Sequence, residues 1–156
     1  MNIVAAIVVF LTGVFVQWLW STHFPIWGLS PQLLLIMTVA VAARNGAAAG
    51  QCYGFAWGLF LDVLSAHVFG AHALGLTLTA YFSGVLRRQV DVASAAPQLI
   101  LIALLTPAYF LYYGTAGWLF ERDFLWSGWV VFLATPLYNC LAAPFAFEFT
   151  RRFVDV

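Results

Sequence analysis

The sequence predicts an all-α integral membrane protein, a single domain (1–156) of six transmembrane helices packed as a compact bundle. Three observations carry this. Of the 156 residues, 64% are hydrophobic and only 8% charged, whereas a soluble domain carries about 25% charged residues. The apolar residues fall into six segments with scant loops between them. The six basic residues are all arginine, and five of them fall at breaks that alternating spans place on one side of a membrane. Mean hydropathy is +0.95. Net charge is zero, without basic or acidic runs, which excludes a nucleic-acid surface.

A spanning helix needs about 20 apolar residues. Helix 1, about 3–20, ends in Trp18 and Trp20, which suit the headgroup level. No positive n-region or small-x-small cleavage site accompanies it, so it is expected to be retained. Helix 2, about 31–44, opens at Ser30-Pro31, a serine cap with proline at the first helical position. Only about 13 residues separate Pro31 from Arg44, roughly 20 Å. Such a helix is sheltered by its neighbours, extended by snorkelling of Arg44, or matched by local bilayer thinning. Helix 3 covers about 46–65 and helix 4 about 71–86. Helix 5, about 97–120, holds Pro107; helix 6, about 126–150, holds Pro136 and Pro144, and each internal proline invites a kink. Pro31-Gln32-Leu33 and Pro97-Gln98-Leu99 open helices 2 and 5, as a three-plus-three inverted duplication would.

Orientation follows from the arginines. Arg44, Arg87, Arg88, Arg151 and Arg152 share one side and Arg122 lies opposite, which places both termini in the cytoplasm. Without helix 2, Arg44 would be split from Arg87 and Arg88.

Glycine recurs at every fourth position: Gly46, Gly50, Gly54 and Gly58, the same step then reaching Asp62, Ala66 and Gly70. Each interior glycine costs a soluble helix about 1 kcal/mol relative to alanine, but in a membrane helix small residues let two backbones approach closely. Helix 4 repeats the theme with Ala71, Gly75, Thr79 and Ser83. The two ridges pack on each other, or each faces a different helix or another protein. The candidate partner-binding surface is therefore Gly46, Gly50, Gly54, Gly58, Asp62, Gly75 and Thr79.

Asp62 falls roughly 24 Å from Gly46, near the periplasmic boundary. It is either an interfacial carboxylate that hydrates or caps the loop, or an acceptor for a partner helix. His67 and His72 flank the same loop as interfacial histidines. The five-residue steps from Asp62 do not stack on one helix face and no fourth ligand is evident, so no metal is expected. Glu148 is placed to pair with Arg151 or Arg152, and Gln17, Gln51 and Asn139 to make interhelical hydrogen bonds. Cys52 and Cys140 read as buried thiols. No nucleophile elbow, zinc-protease motif, phosphate loop or acidic dyad occurs, so neither enzyme activity nor a cofactor is expected.

The run from Pro31-Gln32-Leu33-Leu34-Leu35 through Gly46, Gly54-Phe55, Gly58-Leu59-Phe60-Leu61-Asp62, Gly70 and Ala73-Leu74 resembles MreD, the rod shape-determining membrane protein family of bacteria. The second half matches in hydropathy only. The resemblance implies a non-enzymatic scaffold of the elongation complex in the inner membrane, supporting lateral peptidoglycan synthesis. It implies MreC as direct partner, with MreB, RodA and a class B penicillin-binding protein in the wider complex. It also implies a fold similar to the S components of energy-coupling-factor transporters, and so an alternative function as a substrate-binding component of a vitamin transporter. S components typically carry Ala-x-x-x-Ala on the first helix; here Ala5 is followed by Val9 and Ala6 by Phe10.

Overall fold

The computed structural model describes residues 3–23, 29–65, 68–87 and 94–154; His67 and Arg88 lie outside them. Among the described residues six helices follow in order: α1 (Ile3–His23), α2 (Leu33–Asn45), α3 (Ala47–Leu64), α4 (Ala71–Leu86), α5 (Ala95–Glu121) and α6 (Trp129–Val154). Both proline-containing helices continue through their prolines.

The arrangement is a ring of five helices around one. Among the described residues α2 touches all five others, and the ring runs α1, α3, α4, α5, α6 and back to α1. The sequence of α2 suits a hub. It is apolar all round, the signature of a buried helix, and every residue from Leu34 to Ala43 is buried. The second helix is thus short because it is sheltered: protein meets it on every side, so it does not need the length of a span.

Its ends are served by other helices. A helix leaves its first N–H and last C=O groups without internal partners, and away from water each such group is costly. The Gln32 N–H donates to Asn139 Oδ1 of α6 at 2.9 Å, and the Leu33 N–H to Gln17 Oε1 of α1 at 2.7 Å. The expected Ser30 cap is not used: α2 starts at Leu33 with Gln32 as cap residue, since these long-range amides already take the first donors. At the other end the Arg87 guanidinium donates to the Ala43 and Arg44 carbonyls, at 3.4 and 2.6 Å, a cation on the negative end of the helix dipole. Asn139 also donates to Thr106 Oγ1 at 3.1 Å, tying α6 to α5, and Ser83 Oγ donates to the Val39 carbonyl at 3.1 Å, tying α4 to α2.

Outside, every ring helix exposes large apolar side chains, among them Leu11, Phe55, Leu74, Leu104 and Leu137. Soluble monomers rarely show apolar surface so continuously. Among the described residues two helices, across Ala96–Glu121 and Trp129–Arg152, are long and apolar enough to cross a membrane by length and composition. The expected Glu148 pairing is present and exposed, with Arg151 at 2.7 Å and Arg152 at 3.1 Å. Cys52 corrects an expectation: it is exposed, because Gly50 and Gly54 point inward and two residues along a helix turns a side chain to the opposite flank. Cys140 is half-buried.

Candidate functional site at the glycine ridge

The ridge packs inside the molecule. Gly50, Gly54 and Gly58 are buried on the side of α3 that meets α2 and α4. A Cβ at Gly50 would lie 2.7 Å from Ala42 Cα of α2. One at Gly54 would lie 2.8 Å from the Leu76 carbonyl oxygen of α4 and 3.0 Å from the Thr38 methyl of α2. One at Gly58 would meet the Ala73 backbone of α4 and lie 2.6 Å from the His72 carbonyl oxygen. The approach is reciprocal at the far end, where Gly84 of α4 faces Ala47 of α3. Tyr53 and Trp57, buried beside the ridge, lie with their rings tilted and centroids 5.1 Å apart.

Two members of the predicted surface play other parts. Gly46 is the junction between α2 and α3, with φ of 101°, a conformation that favours glycine. Gly75 turns toward α5, where a Cβ would lie 2.8 Å from the rings of Tyr109 and Tyr112. Thr79 is buried and donates to the Gly75 carbonyl of its own helix at 2.8 Å. The four-residue step beyond Asp62 leaves the helix, because α3 stops at Leu64; Gly70, with φ of 93°, caps α4. The α3 ridge packs on α2 and α4 of the same chain, but on α4 it meets Ala73 and Leu76, while the α4 ridge itself faces other helices, Gly75 toward α5 and Ser83 toward α2.

Asp62 is buried at 2% exposure. Its Oδ1 accepts from the His72 N–H at 2.9 Å and its Oδ2 from the Ala73 N–H at 3.0 Å. The Ala71 N–H donates to the Val68 carbonyl at 3.2 Å, and the regular helix ladder begins with Leu74 donating to the Gly70 carbonyl at 2.9 Å. Three free donors of the α4 N-terminus, those of Ala71, His72 and Ala73, are thus satisfied, two of them by a carboxylate in the favourable field of a helix start. Capping is the part of the expectation that holds; hydration is not, since α4 folds back over the carboxylate. His72 lies in the same place, its Nδ1 paired with the Tyr109 hydroxyl and its ring stacked on Tyr113 at 4.5 Å.

Gln17 and Asn139 were legible as polar groups between helices, but not their role in capping α2. Arg87 and Gly84 belong to the same framework. A guanidinium just after a helix and a glycine three residues before it were the only signals they offered.

The family described as rod shape-determining protein MreD matches residues 1–151. The chain belongs to the MreD family. No curated protein and no solved structure matches it. The role carried by the family is rod shape determination, and the continuous apolar exterior fits a protein surrounded by lipid.

Proposed function

We propose that this MreD protein is a six-span, non-enzymatic scaffold of the bacterial inner membrane, supporting rod shape and lateral peptidoglycan synthesis through direct contact with MreC. MreB, RodA and a class B penicillin-binding protein join in the wider complex. The family match over residues 1–151 carries this reading. The packing supports a structural role: among the polar groups between helices, Gln17, Asp62, Ser83 and Asn139 serve backbone ends and neighbouring helices. The glycine ridge contributes to assembly indirectly, by fixing α3 against α4 so that their outer faces keep one shape. Affinity capture of the tagged protein from nanodiscs should bring MreC with it. Co-purification of an ATPase and a vitamin in place of MreC would sink the scaffold reading in favour of transport.

The topology is proposed from the arginine distribution. Reporter fusions after Arg44, Arg88 and Val156 should report cytoplasm, and fusions after Ala66 and Asp123 periplasm. A periplasmic C-terminus would overturn the six-span arrangement.

A further inference from the structure

The ring around α2 is closed most thinly by α1. Of the described α1 side chains only Val9 is buried, together with Gly13, and the packing of α1 on α3 is the slightest between any two touching helices. Among the described residues its polar and aromatic attachments fall in two places. Midway, Phe10 stacks on Trp57 at 6.0 Å, Trp57 Nε1 donates to the Phe10 carbonyl at 3.2 Å, and Gly13 admits Met37 and Trp57 against the α1 backbone. Toward the C-terminal end, Gln17 accepts from the Leu33 N–H at 2.7 Å, and Trp20 Nε1 donates to the Tyr138 hydroxyl of α6 at 3.0 Å.

Between α1 and α6 lies an apolar cleft of about 420 Å³, running from Trp20 and Tyr138 past Val16 and Leu141 to Phe145 and Phe149. Across a cleft the side chains of two helices do not touch, so α1 and α6 forgo along it the direct dispersion contacts that hold packed helices together. The Trp20–Tyr138 hydrogen bond therefore spans a boundary that packing alone does not close. In hydrocarbon, with no water to replace it, its loss leaves an indole N–H to find another partner.

We infer that α1 is a hinged helix, pivoting along its attachments to α2 and α3, the Phe10–Gly13 contact with Trp57 and the Gln17–Leu33 hydrogen bond, and held closed against α6 by the Trp20–Tyr138 hydrogen bond. Release of that bond opens the cleft between α1 and α6 sideways. The α3–α4 pair, locked by glycine contacts, stays still while α1 moves, so the fold combines a rigid half with one movable wall.

The test uses the full chain in nanodiscs, with Cys52→Ser and Cys140→Ala as background. Spin labels at Trp18→Cys and Leu137→Cys, both exposed, report the α1–α6 separation; labels at Leu104→Cys and Leu133→Cys report α5–α6 as a reference. The parent should show one dominant short α1–α6 separation. Tyr138→Phe, which keeps the ring and removes only the hydroxyl, should raise the ratio of longer to shorter separations by roughly three- to twentyfold, the range for one interhelical hydrogen bond in a bilayer. Trp20→Phe should do the same from the donor side, and Tyr138→Phe decides alone if Trp20→Phe misfolds. An unchanged distribution in Tyr138→Phe overturns the inference. So does equal broadening of the α5–α6 reference, which would make the bond a support of the whole bundle. Neither readout depends on MreC.

Discussion

Gly58→Leu is expected to prevent folded protein from accumulating. A Cβ at this position would lie 2.5 Å from the Ala73 nitrogen and 2.6 Å from the His72 carbonyl oxygen. These are backbone atoms in the first turn of α4, so no rotamer change makes room, and the helices must separate. Overpacking alone costs about 1–3 kcal/mol, and more where backbone must shift. The same shift draws the His72 and Ala73 N–H groups away from Asp62, adding the loss of two charge-assisted hydrogen bonds at roughly 1.5–3 kcal/mol each. The sum approaches the roughly 5–15 kcal/mol by which a typical domain is stable. Gly70→Ala is the contrast: φ is 93° but nothing lies within 4 Å of a Cβ there, so only the backbone penalty of about 1–2 kcal/mol applies. Size-exclusion profiles and thermal melts in detergent separate the two. Gly58→Leu should be aggregated or absent, and Gly70→Ala monodisperse with a lowered melting temperature. A monodisperse Gly58→Leu protein melting like the parent would refute the close approach of α3 to α4.

The six helices were legible because each records its own solvent: long apolar runs, with arginines, tryptophans or loop residues at the ends. The four-residue glycine step was equally plain, since it reports how near a neighbouring backbone comes. It does not report whose backbone that is, and the ridge packs on Ala42, Leu76 and Ala73 of the same chain. The caps of α2 were hidden for a different reason. Gln17 serves a backbone group 16 residues away, Arg87 groups 43 and 44 away, and Asn139 one 107 away; only the folded ring brings them together. Asp62 shows what a depth argument leaves out. Counting along α3 places it near a membrane boundary, but burial is decided by α4, which starts directly over the carboxylate.

The second large effect is expected at Asp62, and it separates internal capping from partner contact. The two carboxylate oxygens accept from two different N–H groups, at 2.9 and 3.0 Å, in a buried site. Asparagine has one acceptor oxygen and presents an NH₂ group where the second oxygen was, so one N–H of α4 would face a donor. Asp62→Asn should therefore cost about 1–3 kcal/mol, the penalty for a buried donor left unsatisfied, with a further few tenths to 1 kcal/mol from removing negative charge at a helix start. Asp62→Ala orphans both donors and should cost roughly twice as much. Asp123→Asn, on the exposed α5–α6 connection, is the control, expected within about 0.5 kcal/mol of the parent. Each variant is measured twice, by the melting temperature of the purified protein and by rescue of rod shape in a deletion strain. If Asp62 caps α4, both should fall together, in the order parent, asparagine, alanine, with expression falling alongside. An Asp62→Asn protein that melts like the parent yet fails to restore rod shape would contradict this, because its carboxylate would then be needed by something outside the chain.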